Sequence, residues 1–409
     1  MSTRQNPVLS TRARWLGAAC AAVFSVSAWA QGTIKIGEIN SYKAQPVFLD
    51  AYKQGMALAL EEANAAGGVG GKKFELVTRD DNANPGEAVR LAEELISRER
   101  VDLLAGTFLS HVGLAMTDYA KQKKVFFLAS EALTDKVTWG SGNAYTYRLR
   151  TSTYMLAASL VPEALKLKKK RWAIVYPNYE YGQSAADTFK KLMKAQQPDI
   201  EFVTEQAPPL GKVDAGSVVQ AISDAKPDAV FNALFGADLA KLVREGSTRG
   251  TFKDIPVVSV LTGEPEYLEP LRDEAPVGWI VTGYPWYSID TPEHKAFVAA
   301  YQKKFGKEEL RLGSVIGYTT IKSLVEGVKR AGGKTDSESM AKAFSGLKVA
   351  TPDGPIEFRA LDHQSTLGVY VGKVALKDGK GVMVDYHYVP GEKLLPSDDE
   401  VRKLSLIHI

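Results

Sequence analysis

The feature that most constrains this chain is an alternation. Short β-type runs empty into polar turns, and each turn leads into an amphipathic helical segment, from residue 34 to residue 261. The clearest unit is Trp172-Ala173-Ile174-Val175-Tyr176, followed by the turn Pro177-Asn178-Tyr179-Glu180-Tyr181-Gly182-Gln183-Ser184 and then a helix. Parallel strands need such crossover helices, so the pattern predicts an α/β fold with helices on both faces of a parallel sheet. In an open sheet of this kind ligands meet the carboxyl ends of the strands, where Tyr179 and Tyr181 stand. Gly182 allows a sharp turn there, and Gln183 or Ser184 is a candidate helix cap. A surface loop with two half-buried tyrosines is the plainer alternative.

The alternation runs twice. Strands are expected at 34–39, 74–77, 101–106 and 125–129, with helices at 48–66, 85–98 and 112–122 between them. It restarts after a helix at 154–167, with strands at 172–176, 201–203, 229–234 and 255–261. A second doubly wound lobe follows, as the 409-residue length also suggests, since one core rarely holds so long a chain. Further strands are expected at 278–282, 356–358 and 367–376, and helices at 292–305, 312–331 and 336–345.

Residues 1–30 read as a secretory signal: Arg4, Arg12 and Arg14, an apolar stretch over 15–26, then Ala28-Trp29-Ala30 with cleavage expected after Ala30. Cys20, the one cysteine, lies within that stretch and is the alternative, a lipid-attachment site. Cleavage after Ala30 leaves a mature chain without disulfides, exported to the periplasm. No later stretch of about twenty apolar residues suggests a membrane span. Charged residues are 24% of the chain and the formal net charge is +3, which gives no footprint for nucleic acid.

Signals for catalysis are weak. His111, His294, His363, His387 and His408 are widely separated and lack metal-ligand spacing, so neither metal nor cofactor is expected. Asp80-Asp81 ends a strand, where a solvated or helix-capping role is the simpler reading. No Gly-x-Ser-x-Gly elbow is present. Binding signals are better. Ser110, the turn at 129–132, Tyr179, Tyr181, Phe235, Glu264 and the cluster at 284–287 all follow strands and would face one cleft. Hydroxyls and helix-start N–H groups suit a carboxylate, and aromatic rings suit an apolar or cationic remainder. Glu264 is the candidate partner of a ligand ammonium. Taken singly, Phe235 and Trp286 also read as core residues, and Glu131 and Glu266 as solvated ones.

Ile36-Gly37-Glu38, Asn178-Tyr179-Glu180-Tyr181-Gly182, Gly263-Glu264-Pro265-Glu266-Tyr267, Val281-Thr282-Gly283-Tyr284-Pro285 and Asp362-His363-Gln364-Ser365 together resemble the branched-chain amino-acid type of periplasmic solute-binding protein, the receptor of ATP-driven importers. The likeness covers nearly all of residues 32–402. It implies two doubly wound, Rossmann-like lobes joined by a three-crossover hinge, the type I periplasmic binding protein fold. Each lobe is then discontinuous: 31–149 with 282–349, and 150–281 with 350–402. The hinge is expected at 148–151, 281–283 and 347–353. Residues 403–409 look foreign to the family and read as an assembly artefact, a docking tail being the alternative.

Carried over residue by residue, the resemblance puts the carboxylate-binding serine at Ser110, with His111 beside it. Backbone and hydroxyl groups fall near Ala129, Ser130 and Ala132, and the tyrosine of the turn is Tyr181. Phe235 stands where leucine binders tend to have tyrosine. Glu264 receives the ammonium, and Tyr284 or Trp286 closes the side-chain end. The implied function is capture of a branched-chain amino acid or similar small carboxylate by hinge closure, and delivery by a monomeric receptor to a membrane permease. Alternatives are an aromatic or other organic acid as ligand, a sensing module that feeds a receptor, and an exported enzyme on the same fold.

Overall fold

The computed structural model describes residues 32–306 and 310–407. The leader expected over 1–30, with Cys20, lies outside the described residues, as do His408 and Ile409. The first sheet is built from β1 (Thr33–Asn40), β2 (Lys73–Asp80), β3 (Leu103–Gly106), β4 (Phe127–Ala129) and β5 (Thr146–Arg148), in the order β2-β1-β3-β4-β5. All its pairings are parallel. Between these strands run α1 (Pro46–Ala65), α2 (Pro85–Ser97) and α3 (Ser110–Lys123).

The chain then crosses to a second layer. After α4 (Thr153–Lys166) come β6 (Arg171–Val175), α5 (Glu180–Gln196), β7 (Glu201–Gln206), α6 (Ala215–Ala225), β8 (Ala229–Asn232), α7 (Gly236–Thr248) and β9 (Val257–Gly263). The one-turn helix α8 (Pro265–Leu268) leads on to β10 (Ile280–Gly283). Three further helices, α9 (Pro292–Phe305), α10 (Leu312–Arg330) and α11 (Ser337–Phe344), precede the hairpin β11 (Lys348–Thr351) and β12 (Gly354–Glu357). The hairpin β13 (Val369–Lys377) and β14 (Lys380–Val389) and a last helix α12 (Asp398–Leu404) complete the chain. The second sheet has the order β14-β13-β10-β9-β8-β6-β7. It is parallel from β7 to β10 and closes with two antiparallel strands.

Strands β3, β4, β8, β9 and β10 are buried along their whole length, as their continuous apolar runs require when helices cover both faces. The edge strand β7 carries Glu201, Thr204, Glu205 and Gln206 and is only half-buried. Helices α1 and α10 pack backbone to backbone on the first sheet. A Cβ on Gly55 would lie 2.0 Å from the Ser314 carbonyl oxygen, and one on Gly317 would lie 2.0 Å from that of Tyr52.

Each parallel sheet repeats one winding, with its first strand second in spatial order and its third beside it. The direction of winding reverses between β1 and β3 in one sheet and between β6 and β8 in the other. Loops at such reversal points diverge and leave a crevice. These are the loops that carry Phe108 and Ser110 on one side, and Tyr179 and Phe235 on the other.

The chain passes between the sheets at 149–152, 284–291 and 366–368. The first and third passages are zipped together. Arg148 is fully buried and donates to Gln364, to the carbonyls of Leu133 and Thr134, and to the Thr138 hydroxyl. Thr151 Oγ1 donates to the carbonyls of Leu367 and Gly368 at 3.1 Å each, and the Gln364 amide donates to the Arg150 carbonyl at 3.1 Å. The third passage is later than the boundary at 349–350 suggested by sequence. The β11–β12 hairpin stays with the first sheet, because Phe358 packs on Phe344 at 4.9 Å and on Tyr147 at 6.2 Å between ring centroids. At the second passage Gly283 lies directly against the backbone of Gly263.

The last described residues are docked onto the fold. Ser405 Oγ donates to the Thr138 carbonyl at 2.8 Å, and Leu406 N donates to the Trp139 carbonyl at 3.0 Å.

The contact at the second passage has a measurable consequence. A Cβ at residue 283 would meet the Gly263 carbonyl carbon and oxygen at 2.2 Å. We expect Gly283→Ala to lower the unfolding free energy by about 1–3 kcal/mol through overpacking, read as a lower urea midpoint with an unchanged slope.

Candidate functional site

Where the two reversal points face each other, a small cavity is lined by Phe108, Ser110, Glu131, Leu133, Arg150, Tyr179, Tyr181, Phe235 and Leu261. Its volume of about 10 Å³ is barely room for one water, and a wider groove of about 390 Å³ between the start of α1 and residues 210–211, 235–240 and 266–270 meets it at Phe235.

Three helices begin at this cavity: α3 at Ser110, α5 just after Tyr179 and α7 just after Phe235. No side chain caps any of them. By contrast α2, α4, α6, α9 and α11 are capped by Asn84, Ser152, Asp214, Thr291 and Asp336. Uncapped first turns present N–H groups and the positive end of the helix dipole, an environment that favours an anion. The expected cap on α5 is therefore absent. Tyr179 itself holds the N-cap position, while Ser184 lies inside the helix and is bonded to the Thr153 hydroxyl at 2.6 Å.

Aromatic rings form the cavity's body. Phe235 lies 5.7 Å from Tyr181, 6.5 Å from Tyr179, 6.2 Å from Phe108 and 6.0 Å from Tyr267, centroid to centroid. Phe108 in turn meets Phe48 at 5.1 Å. Tyr181 is buried and its hydroxyl has no hydrogen-bond partner among the described residues. A phenol in that position awaits an acceptor.

The charged end is a buried cluster. Arg150, from the first passage, donates to Glu131 Oε2 at 3.1 Å and to Glu264 Oε1. Glu131 follows β4 in the first sheet and Glu264 follows β9 in the second, so the guanidinium ties the lobes together. All three side chains are at least 95% buried. Burial pushes the Glu131 carboxyl up to about 8, although Arg150 pulls in the other direction. Burial also raises Glu264, again against Arg150, and the neighbouring Glu266 raises it further. The Arg150 guanidinium loses solvation, but its two carboxylate partners outweigh that loss and hold it firmly cationic. Only with both partners ionised, above about pH 8 for Glu131, does the cluster carry one negative charge in excess. Glu131 Oε1 and Glu264 Oε2 are both without a hydrogen-bond partner among the described residues.

The cavity thus unites Ser110, Tyr179, Tyr181 and Phe235 from the residues singled out in the sequence. Other candidates sit around it. Ser110 Oγ accepts from Thr134 N at 3.2 Å, and His111 stands edge-on to Tyr179 at 5.6 Å with Nε2 3.3 Å from the Ala83 carbonyl oxygen. Ala129 gives its carbonyl to Leu149 N, Ser130 Oγ is 2.9 Å from the Tyr52 hydroxyl, and Ala132 packs beneath Gly113 of α3. These three hold the loop that carries Glu131.

Two candidates lie elsewhere. The Tyr284 hydroxyl is 2.6 Å from His294 Nε2, on α9. Together with Trp286 it lines a separate groove of about 680 Å³ along β14, because the chain turns away from the cleft once β10 ends. Glu264 meets Arg150 rather than the cavity wall.

Sequence reasoning missed Arg150 as a site residue and took Glu131 and Glu266 for solvated groups, yet both glutamates are buried to about 1% exposure. Asp81 is buried too, accepting from Ser41 Oγ at 2.6 Å and Ala83 N at 2.8 Å, and it caps no helix. Their only signal was position, each within a loop at a strand's carboxyl end. Among the described residues no group of three His, Cys, Asp or Glu side chains stands ready to hold a metal. None of the described helices is long and apolar enough to cross a membrane.

Comparison with known proteins points the same way. A family model described as periplasmic binding protein matches residues 33–380. The Leu/Ile/Val-binding protein homolog 6 of Brucella abortus (strain 2308) is 27% identical over 370 residues, covering 87% of this chain and 92% of that one. Among solved structures, an ABC-transporter solute-binding protein of Rhodopseudomonas palustris BisB5 in complex with 3,4-dihydroxybenzoic acid superposes with a TM-score of 0.77 at 27% identity, covering 88% of this chain and 98% of that one. Another, from R. palustris in complex with 4-hydroxybenzoate, gives 0.76 at 26% identity, with 87% and 97% covered.

The buried carboxyls make stability depend on pH in a definite direction. The unfolded Glu131 releases its proton near 4.5 and the folded one near 8, so between these values the folded chain holds a proton that the unfolded chain has lost. The stabilisation is complete below about pH 4.5 and is lost as pH rises through 8. Glu38, pushed up to about 8 by burial, acts in the same sense. We expect the melting temperature to fall between pH 5 and 9, and Glu131→Gln to make that fall shallower without abolishing it. An equally steep fall in the variant would show that Glu131 is ionised throughout.

Proposed function

The chain belongs to the periplasmic binding protein family, and from that premise we propose that it is the solute-binding component of an ATP-driven importer, closing on a small carboxylate-bearing solute and presenting it to a membrane permease. The leader over 1–30 is then removed after Ala30, and the mature protein works in the periplasm as a monomer, without catalysis and without nucleic acid. The carrying observation is the polarity of the cavity. Uncapped helix ends and the Ser110 side chain open on it, and so does Glu131, whose Oε1 is without a hydrogen-bond partner among the described residues.

Such a site suits a molecule with an anionic end and a donor end. An α-amino acid with an apolar or aromatic side chain meets both demands: its carboxylate at the start of α3, its ammonium against Glu131, which it draws into the ionised form, and its side chain among Phe108, Tyr179, Tyr181 and Phe235. Capture requires the lobes to part, because the cavity is far smaller than any amino acid. Contacts from both lobes exist only after closure, so the ligand shifts the population toward the closed form by its differential affinity.

A second reading has its own support. The two R. palustris proteins are in complex with hydroxylated benzoic acids, whose phenolic hydroxyl is also a donor and whose ring suits aromatic walls. Both readings share one requirement. A ligand with no donor leaves a buried carboxylate oxygen unpaired, at a cost of about 1–3 kcal/mol.

The test is a thermal-shift series on residues 31–403, stripped of carried-over ligand by unfolding and refolding, with L-leucine, L-phenylalanine, 4-hydroxybenzoate and benzoate. A ligand at about a thousand times its dissociation constant adds about 4 kcal/mol to the folded state. We expect an amino acid to raise the melting temperature by several degrees and benzoate to raise it least. A shift with 4-hydroxybenzoate alone selects the second reading, and no shift with any of the four rejects both. Tyr181→Phe should leave the melting temperature of the stripped protein nearly unchanged, because the hydroxyl has no partner to lose, and should weaken the best ligand about threefold to tenfold.

A further inference from the structure

We propose that Glu131 is the residue that selects the ligand's cationic or donor end, and that Glu264 acts on the ligand only through Arg150. The inference deepens the amine-bearing reading of the site and rests on it. Two voids flank the guanidinium. The cavity that holds Ser110, Tyr179, Tyr181 and Phe235 is lined by Glu131 and Arg150 but not by Glu264. A second void of about 30 Å³ is lined by Arg150 and Glu264, together with Thr151, Asp353 and Tyr370, but not by Glu131. Arg150 reaches Glu131 with one terminal nitrogen and Glu264 with the other, so it stands between the two carboxylates.

The charge count fits this division. Arg150 offsets one of the two carboxyls when both are ionised, and Glu131, which burial otherwise holds protonated, gives up that proton to meet a ligand ammonium through Oε1, buried and without a partner among the described residues. Glu264 is set behind the guanidinium, where its effect on a ligand is to hold Arg150 in place and to limit how fully Arg150 neutralises Glu131.

The placement also assigns the work of the two lobes. Thr134 N donates to Ser110 Oγ, which ties the loop over 131–134 to the start of α3. The carboxylate end and the donor end of a ligand are therefore both read by the first lobe, on one rigid unit. Tyr179, Tyr181 and Phe235 of the second lobe meet the body of the ligand between those ends. A ligand can dock fully by its charged ends before closure, and the second lobe then selects the side chain.

A counter-ion with no role toward the ligand would behave differently. If Glu131 serves Arg150 alone, its loss lowers stability and leaves ligand preference where it was. The readout is therefore a ratio of affinities, measured by titration calorimetry at pH 7 on the stripped wild type, Glu131→Gln, Glu131→Asp and Glu264→Gln, with L-leucine, L-phenylalanine and benzoate. Each single glutamine variant leaves Arg150 paired with one carboxylate, which keeps the buried charge compensated.

We expect Glu131→Gln to lower affinity for the better-bound amino acid by at least about tenfold while benzoate binds as well as before or better. Glu264→Gln should cost no more than about threefold, and Glu131→Asp should retain most of the amino-acid preference. Should Glu131→Gln fail to fold, a fall in the amino-acid to benzoate ratio on going to Glu131→Asp that exceeds the fall in Glu264→Gln supports the same assignment. Two results overturn it with the functional reading intact: a larger loss in Glu264→Gln than in Glu131→Gln, or an unchanged ratio in Glu131→Gln. A wild type that prefers benzoate rejects the amine-bearing reading itself, and this inference with it.

Discussion

Everything at the centre of this molecule depends on one buried guanidinium held between two carboxylates from opposite sheets. Taking Arg150, Glu131 and Glu264 out of water is unfavourable for each alone, and only their mutual pairing makes the arrangement tolerable. Glu131 follows a strand of one lobe and Glu264 a strand of the other, so the pairing spans both lobes at the first passage. Glu131 Oε1 and Glu264 Oε2 are without a hydrogen-bond partner among the described residues, so the cluster is also an incomplete one.

The aromatic walls and the uncapped helices complete the design from the other end. A protein of this size has many helix starts, and half of the described α-helices are closed off by Asn, Asp, Ser or Thr. The ones that open on the cavity have Leu109, Tyr179 and Phe235 at the cap position, side chains that make no capping hydrogen bond. Leaving those N–H groups uncapped costs stability in the isolated fold, and an anion at the same place recovers it. Donor-rich helix ends, aromatic rings and a buried acidic group thus line one small cavity.

Much of this was legible in the sequence, for reasons tied to local physics. Alternating strand and helix patterns express burial on both faces of a parallel sheet, and Trp172 to Val175 and Val257 to Gly263 formed the strands that their apolar runs require. The position of a residue just beyond such a strand was enough to bring Ser110, Tyr179, Tyr181 and Phe235 to the cleft. What escaped was set by tertiary packing. A glutamate in a polar turn reads as solvated, and nothing within a few residues of Glu131 or Glu266 announces that a helix or an arginine from elsewhere will cover it. Trp286 was misjudged for the converse reason, since an aromatic cluster after a strand looks like a lid until the direction of the following turn is known. The late crossover at 366–368 hangs on Phe358 choosing Phe344 and Tyr147 as neighbours, a contact between residues more than two hundred positions apart for the tyrosine.

The paired passages between the sheets carry one more implication. Arg148 to Thr151 and Gln364 to Gly368 are laced by side-chain and main-chain hydrogen bonds, and the middle passage starts from Gly283, which pairs with Gly263 inside the second sheet. Two passages laced side by side limit the ways in which the lobes move against each other. The side chains that line the cavity are not those that lace the passages, so the one set can change without the other.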